Sequence, residues 1–159
     1  MVELEITRLS EVQSTDVEWL WYPYIPFGKL TIIQGDPGSG KTMLVLYLAG
    51  LLSTGSPLPT EEKNVKHEPI TVIYQTSEDG YEDTIKPRLE KFENVDFNNI
   101  VFIKEDHCSL TMLDERIEQA IIQENAKLLV LDPIQAYIGQ TVDMNRANEM
   151  RPLLKNLMT

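Results

Sequence analysis

Residues 35–42 read GDPGSGKT and repeat the spacing GxxxxGK followed by Ser or Thr, with Gly35, Gly40, Lys41 and Thr42 in the fixed places. Each residue type in that pattern has a chemical use. Gly35, Gly38 and Gly40 can take positive φ and bring backbone N–H groups against phosphate oxygens with no Cβ in the way. The helix predicted to follow adds partial positive charge at its N-terminus. Lys41 can reach the β- and γ-phosphates as a point charge, and the Thr42 hydroxyl can ligate magnesium. The candidate contacts to a nucleoside triphosphate are Gly35, Asp36, Pro37, Gly38, Ser39, Gly40, Lys41, Thr42 and Met43, and the expected cofactors are ATP and Mg2+. The bland alternative, a Gly-rich turn with a solvated lysine, is disfavoured by the strand pattern before the motif and the helix pattern after it.

A phosphate loop needs a carboxylate for its magnesium, usually at the end of a hydrophobic strand. The segment KLLVLD at 127–132 supplies Asp132, although Pro133 after it would also suit a turn. Thr42 and Asp132 are therefore the predicted metal ligands. An earlier apolar run ends in QTSEDG at 75–80, which places Glu78 and Asp79 just past the carboxyl end of a strand, where open α/β sheets hold their ligands. Glu78 is expected to orient and polarise the attacking water, and Asp79 to cap the next helix. Lys41 and Glu78 are the candidate catalytic residues.

These groups need a scaffold that presents them together. Short aliphatic or β-branched runs at 30–34, 70–76, 100–104 and 127–131 predict four core strands buried on both faces. Residues 43–52, and Leu113, Ile117, Ala120 and Ile121, carry helical patterns between them. Pro87 interrupts 81–92 and Pro152 interrupts 146–157, so each segment is a kinked helix or a turn leading into one. Alternating strands and helices predict an α/β fold, a mostly parallel sheet with helices on both faces. The helical spacing of Met150, Leu153, Leu154 and Leu157 runs to the end of the chain, which suggests the front part of a longer protein, truncated at the C-terminus.

With 159 residues, 42% of them hydrophobic, the chain suits one domain over 1–159, read as a lead-in at 1–28 and a nucleotide-binding core at 29–159. A net charge of -11 excludes a globally basic surface that wraps nucleic acid. The single cysteine, Cys108, suits a reducing cytoplasm, and no apolar run approaches the length of a membrane helix. His67 sits in the polar loop 61–68, and His107, beside Cys108, lacks further ligands nearby, so metal binding by either is not expected. Trp19, Trp21, Tyr22, Tyr24 and Phe27 could stack on bases, but the absence of a cation among them favours packing. The polar segment 143–148, with Arg146, is a solvated turn or a DNA-facing loop.

The segments GKLTIIQGDPGSGKT, VIYQTSEDGYEDTIKPRLEKF and LLVLDPIQAYIG, followed by DMNRANEMRPLLKNL, resemble the RecA-like ATPases over about residues 18–159, and within them the plasmid RepA-type helicase and AAA_25 branch. The resemblance implies a RecA-like core, ATP hydrolysis at subunit interfaces, and self-assembly into rings, commonly hexamers, that act on DNA. It matches Lys41 and Thr42 to the Walker A pair, Asp132 to the Walker B acid and Glu78 to the catalytic glutamate. Arg88 matches an arginine that packs on the adenine ring, against the alternative of a surface pair with Glu90 or Glu93, and Gln135 stands where a γ-phosphate sensor could lie. The family also has a further core strand, a sensor and basic residues that reach a neighbour's nucleotide, none of which falls within this sequence. Two rival readings are a nucleotide-binding assembly module with little hydrolysis and a small-molecule kinase, which would carry an arginine-rich lid.

Overall fold

The computed structural model describes residues 4–105, 108–139, 150 and 154. The segment 143–148, the proline-interrupted pattern around Pro152 and His107 lie outside the described residues. The chain divides into two compact units, Met1–Thr31 and Ile32–Thr159.

In the first unit the aromatic run folds onto itself. Strand β1, Trp19–Trp21, pairs antiparallel with β2, Ile25–Pro26, across a turn closed by the Tyr24 N–H donating to the Trp21 carbonyl at 2.7 Å. Trp19 meets Tyr22 edge to face at 5.2 Å between ring centroids, and Trp21 meets Tyr24 at 4.5 Å. Such pairs add to the area they bury, although Tyr22 and Tyr24 remain more than half exposed.

The second unit is built on a parallel sheet of order β4-β3-β5, where β3 is Val72–Thr76, β4 is Ile100–Val101 and β5 is Leu128–Asp132. The middle strand is buried along its whole length and pairs with β5 from Val72↔Leu128 to Thr76↔Asp132. Helix α1, Lys41–Thr54, lies on one face with α2, Lys86–Leu89; there Leu46, Ile85 and Leu89 enclose Tyr74, with Val130 beside them. Helix α3, Glu115–Glu124, covers the other face, where Ile117 and Ile121 join Leu110, Met112, Tyr137, Leu129 and Leu131. Met150 and Leu154 pack against this second cluster. The predicted α/β class, a parallel sheet with helices on both faces, is the observed one. No described helix is long and apolar enough to cross a membrane.

Two local expectations are corrected, and one open alternative is decided. Residues 30–34 pair with no described strand, and Ile32 and Ile33 are 62% and 40% exposed. Apolar pattern marks residues able to line a sheet, but a ladder needs a neighbour, so among the described residues the core sheet has three strands and not four. The third run pairs only over Ile100–Val101, because the Gln75 side-chain amide takes over at Ile103: its Nε2 donates to the Ile103 carbonyl at 2.9 Å and its Oε1 accepts from the Ile103 N–H at 3.0 Å. The segment around Pro87 opens with one wide π-type turn, Tyr81–Ile85, and then enters α2 with the proline in its first turn, where its missing N–H costs nothing.

Helix α1 ends at Gly55, which holds φ +68 while Ser56 N–H bonds the Leu51 carbonyl at 2.9 Å. A Cβ at Gly55 would run into the His67 backbone carbonyl. Gly55→Ala should therefore cost about 2–3 kcal/mol of unfolding free energy. Gly139→Ala, which shares a positive φ but meets only Thr111 Cγ2 at van der Waals distance, should cost about 1 kcal/mol. Denaturant midpoints of the two variants check this; equal losses would show that φ alone sets the cost.

Candidate functional site

The loop 35–40 is exposed and turns into α1 at Gly40, whose φ of +88 is a conformation open to glycine and strained for most other residues. Gly40 is the N-cap, and no side chain caps the helix, so its first N–H groups are left for an outside acceptor. Lys41 folds back over the loop: its ammonium donates to the Gly35 carbonyl at 2.7 Å and to the Asp36 carbonyl at 2.8 Å. The lysine is thereby held above the loop that it would share with a bound phosphate chain.

Thr42, one residue into α1, donates from Oγ1 to Asp132 Oδ2 at 2.9 Å. Asp132 ends β5, and the Thr76↔Asp132 register brings it level with the end of β3. The Tyr74 hydroxyl donates to the same Oδ2 at 2.8 Å. Burial, then the bond to Asp132, push the Tyr74 hydroxyl well above its usual range, so it stays protonated as a donor. Hydroxyl and carboxylate oxygens are the donors that suit a hard cation such as magnesium. Among the described residues no group of three or more His, Cys, Asp or Glu is arranged to hold a metal.

A cleft of about 310 Å³ opens beside the loop, lined by Gly38, Gly40, Lys41, Thr42, Met43, Asp79 and Arg88. The acid in this cleft is Asp79, whose Oδ2 accepts from Arg88 Nη1 at 2.8 Å. Asp79 is thus not the expected helix cap: Gly80 precedes the Tyr81–Ile85 turn, with no side-chain cap bond. The reason is competition, since a guanidinium nine residues on offers this carboxylate a charge-assisted bond. The partner of Arg88 is accordingly neither Glu90 nor Glu93. Glu78 is exposed and is not among the cleft-lining residues, although its N–H and that of Asp79 both bond Thr76 Oγ1 at 3.4 Å, which fixes the turn after β3. Gln135 is exposed on the 3-10 turn Ile134–Tyr137, and it too is absent from the cleft lining. Asp36, Pro37 and Ser39 lie on the exposed loop next to the cleft.

Sequence reasoning passed over Tyr74, Tyr81 and Gln75. Tyr81 stacks on Phe102 with centroids 3.6 Å apart, and its hydroxyl accepts from the Thr76 N–H at 3.2 Å, supporting the turn that carries Glu78 and Asp79. Gln75, buried in β3, also bonds Glu105 at 2.8 Å, and Glu105 in turn accepts from the Leu110 N–H at 2.7 Å. The available signal was a polar tip on a strand otherwise apolar on both faces, because a buried hydroxyl or amide must have a partner.

No curated protein and no solved structure matches the chain significantly. The family model AAA_25, an AAA domain, matches residues 3–159. With a phosphate loop, a carboxylate at the end of a parallel strand and a family match over nearly its whole length, the chain belongs to the AAA_25 family of P-loop ATPases.

Proposed function

We propose that this chain binds MgATP and hydrolyses it as the RecA-like core of a ring-forming motor associated with DNA, in the RepA-type helicase branch. The observation that carries the reading is that Lys41 and Thr42 line one cleft and Thr42 is bonded at 2.9 Å to Asp132, ninety positions away, at the end of β5. Lys41 and the loop N–H groups bind the phosphates, and Thr42 with Asp132 holds the cation, which when bound neutralises charge on the β- and γ-oxygens. Glu78 serves as the water-orienting base, and Arg88 as the group beside the nucleotide. The family resemblance supports assembly with a neighbour that completes the site, and a cytoplasmic location agrees with the lone cysteine. One observation favours a second reading, a module that holds nucleotide with little turnover: the carboxylate in the cleft is Asp79, whereas Glu78 is turned to solvent.

Three outcomes test these readings. Lys41→Ala should weaken MgATP binding by about 10- to 100-fold in calorimetric titration, the loss of a charge-assisted contact to phosphate; unchanged affinity would reduce GDPGSGKT to a turn. Phosphate release should fall by about 100-fold or more in Glu78→Gln with nucleotide binding retained. Hydrolysis that survives Glu78→Gln but fails in Asp79→Asn would move the base to Asp79, and no release by the unaltered chain would favour the assembly module. Single-stranded DNA should bind this chain weakly even at low salt, because Lys86, Arg88 and Lys91 are interleaved with Glu82, Asp83, Glu90 and Glu93. Fluorescence anisotropy with a labelled oligonucleotide checks it, and tight, salt-sensitive binding would contradict it.

A further inference from the structure

We propose that Tyr74 is a positioning residue that fixes the Asp132 carboxylate for a divalent cation and takes no part in holding the nucleotide itself. The inference rests on the reading of Thr42 and Asp132 as the groups on the metal side of the site.

The geometry follows from the sheet. Tyr74 lies opposite Val130, two positions before the Thr76↔Asp132 pair. Two residues along a strand rise about 6.6 Å, close to the reach of a tyrosine side chain laid along the strand. Tyr74 therefore extends toward the carboxyl end of the neighbouring strand and places its hydroxyl on Asp132 Oδ2 at 2.8 Å. Its ring is only 1% exposed, enclosed by Leu46, Ile85 and Leu89, so the donor is held from below by the core and not by a loop.

The chemistry separates the two hydroxyls on Oδ2. Thr42 sits on the first turn of α1 and is itself a candidate ligand, so its bond to Asp132 must accommodate whatever the loop binds. Tyr74 has no such second task. It is a neutral donor from the most buried strand, and it keeps one carboxylate oxygen directed when Thr42 adjusts. Outer partners of this kind orient metal-ligating carboxylates, and their loss commonly lowers metal affinity by about 10- to 100-fold. If the hydroxyl served only to satisfy its own burial, removing it would change stability alone.

The test is the magnesium requirement of nucleotide binding by the whole chain, measured with a fluorescent ATP analogue in EDTA and across a Mg2+ titration. In Tyr74→Phe, which keeps the ring in the core, affinity in EDTA should match the unaltered chain while half-saturating Mg2+ rises about tenfold. Asp132→Asn should shift the Mg2+ requirement further. A Tyr74→Phe requirement equal to that of the unaltered chain, with Asp132→Asn shifted, would overturn the role of Tyr74, as would equal weakening with and without Mg2+. Binding by the unaltered chain that ignores both Mg2+ and Asp132→Asn would instead overturn the reading of the site on which this inference rests. Should Tyr74→Phe fail to fold, ring-fluorinated tyrosine in the unaltered sequence gives a second measurement. The Tyr74 resonance should move when Mg2+ is added to nucleotide-bound protein, and a resonance that stays in place would overturn the proposal.

Discussion

The bond from Thr42 Oγ1 to Asp132 Oδ2 joins the first turn of α1 to the last residue of β5. It can form only if three separate conditions hold. The loop must turn sharply at Gly40 so that α1 starts over the carboxyl end of the sheet, α1 must pack its Leu46 face onto β3, and β5 must pair with β3 in the register that ends at Thr76↔Asp132. A slip of one residue in that register would turn Asp132 to the α3 face and bring Leu131 in its place. The long stretch between the two partners costs little extra, since closure entropy grows only logarithmically with length. What the bond requires is the parallel crossover geometry, and the hydrophobic cores on the two faces supply it.

The phosphate loop, the two long strands and the residues Thr42 and Asp132 that meet at their ends could be read in the sequence, because each depends on local pattern. GDPGSGKT needs its glycines for backbone conformation, and the runs at 72–76 and 128–132 are rich in the aliphatic and aromatic residues of covered strands, the second ending in an acid. What escaped depends on partners distant in the chain. Residues 30–34 have the right composition for a strand, yet a ladder is a property of two segments. The short β4 could not be foreseen without knowing that the Gln75 side chain reaches Ile103. Asp79 looked like a cap by position, and only the wide turn at Tyr81–Ile85 followed by α2 brings Arg88 back to it.

That ion pair also sets the character of the cleft. Arg88 and Asp79 are 35% and 30% exposed, and pairs with this much water around them are worth about 0–1 kcal/mol. The guanidinium is therefore held in a defined place at little energetic commitment, and a polyanion entering beside Lys41 competes for it on favourable terms. The buried contacts of Tyr74 and Gln75 behave in the opposite way, because a deserted hydroxyl or amide in the core has no water to turn to. The site thus combines a firm sheet-borne floor with a side wall that is easily rearranged.

The replacement of backbone pairing by Gln75 has a further consequence, for association between molecules. Sheet edges are the places where folded chains recruit foreign strands, and long flat edges are the most hazardous. By capturing the Ile103 backbone with a side chain, Gln75 ends the β4 ladder after Ile100–Val101. Among the described residues the ladder on that side of the sheet is two residues long, and short edges of this kind offer little template to an added strand.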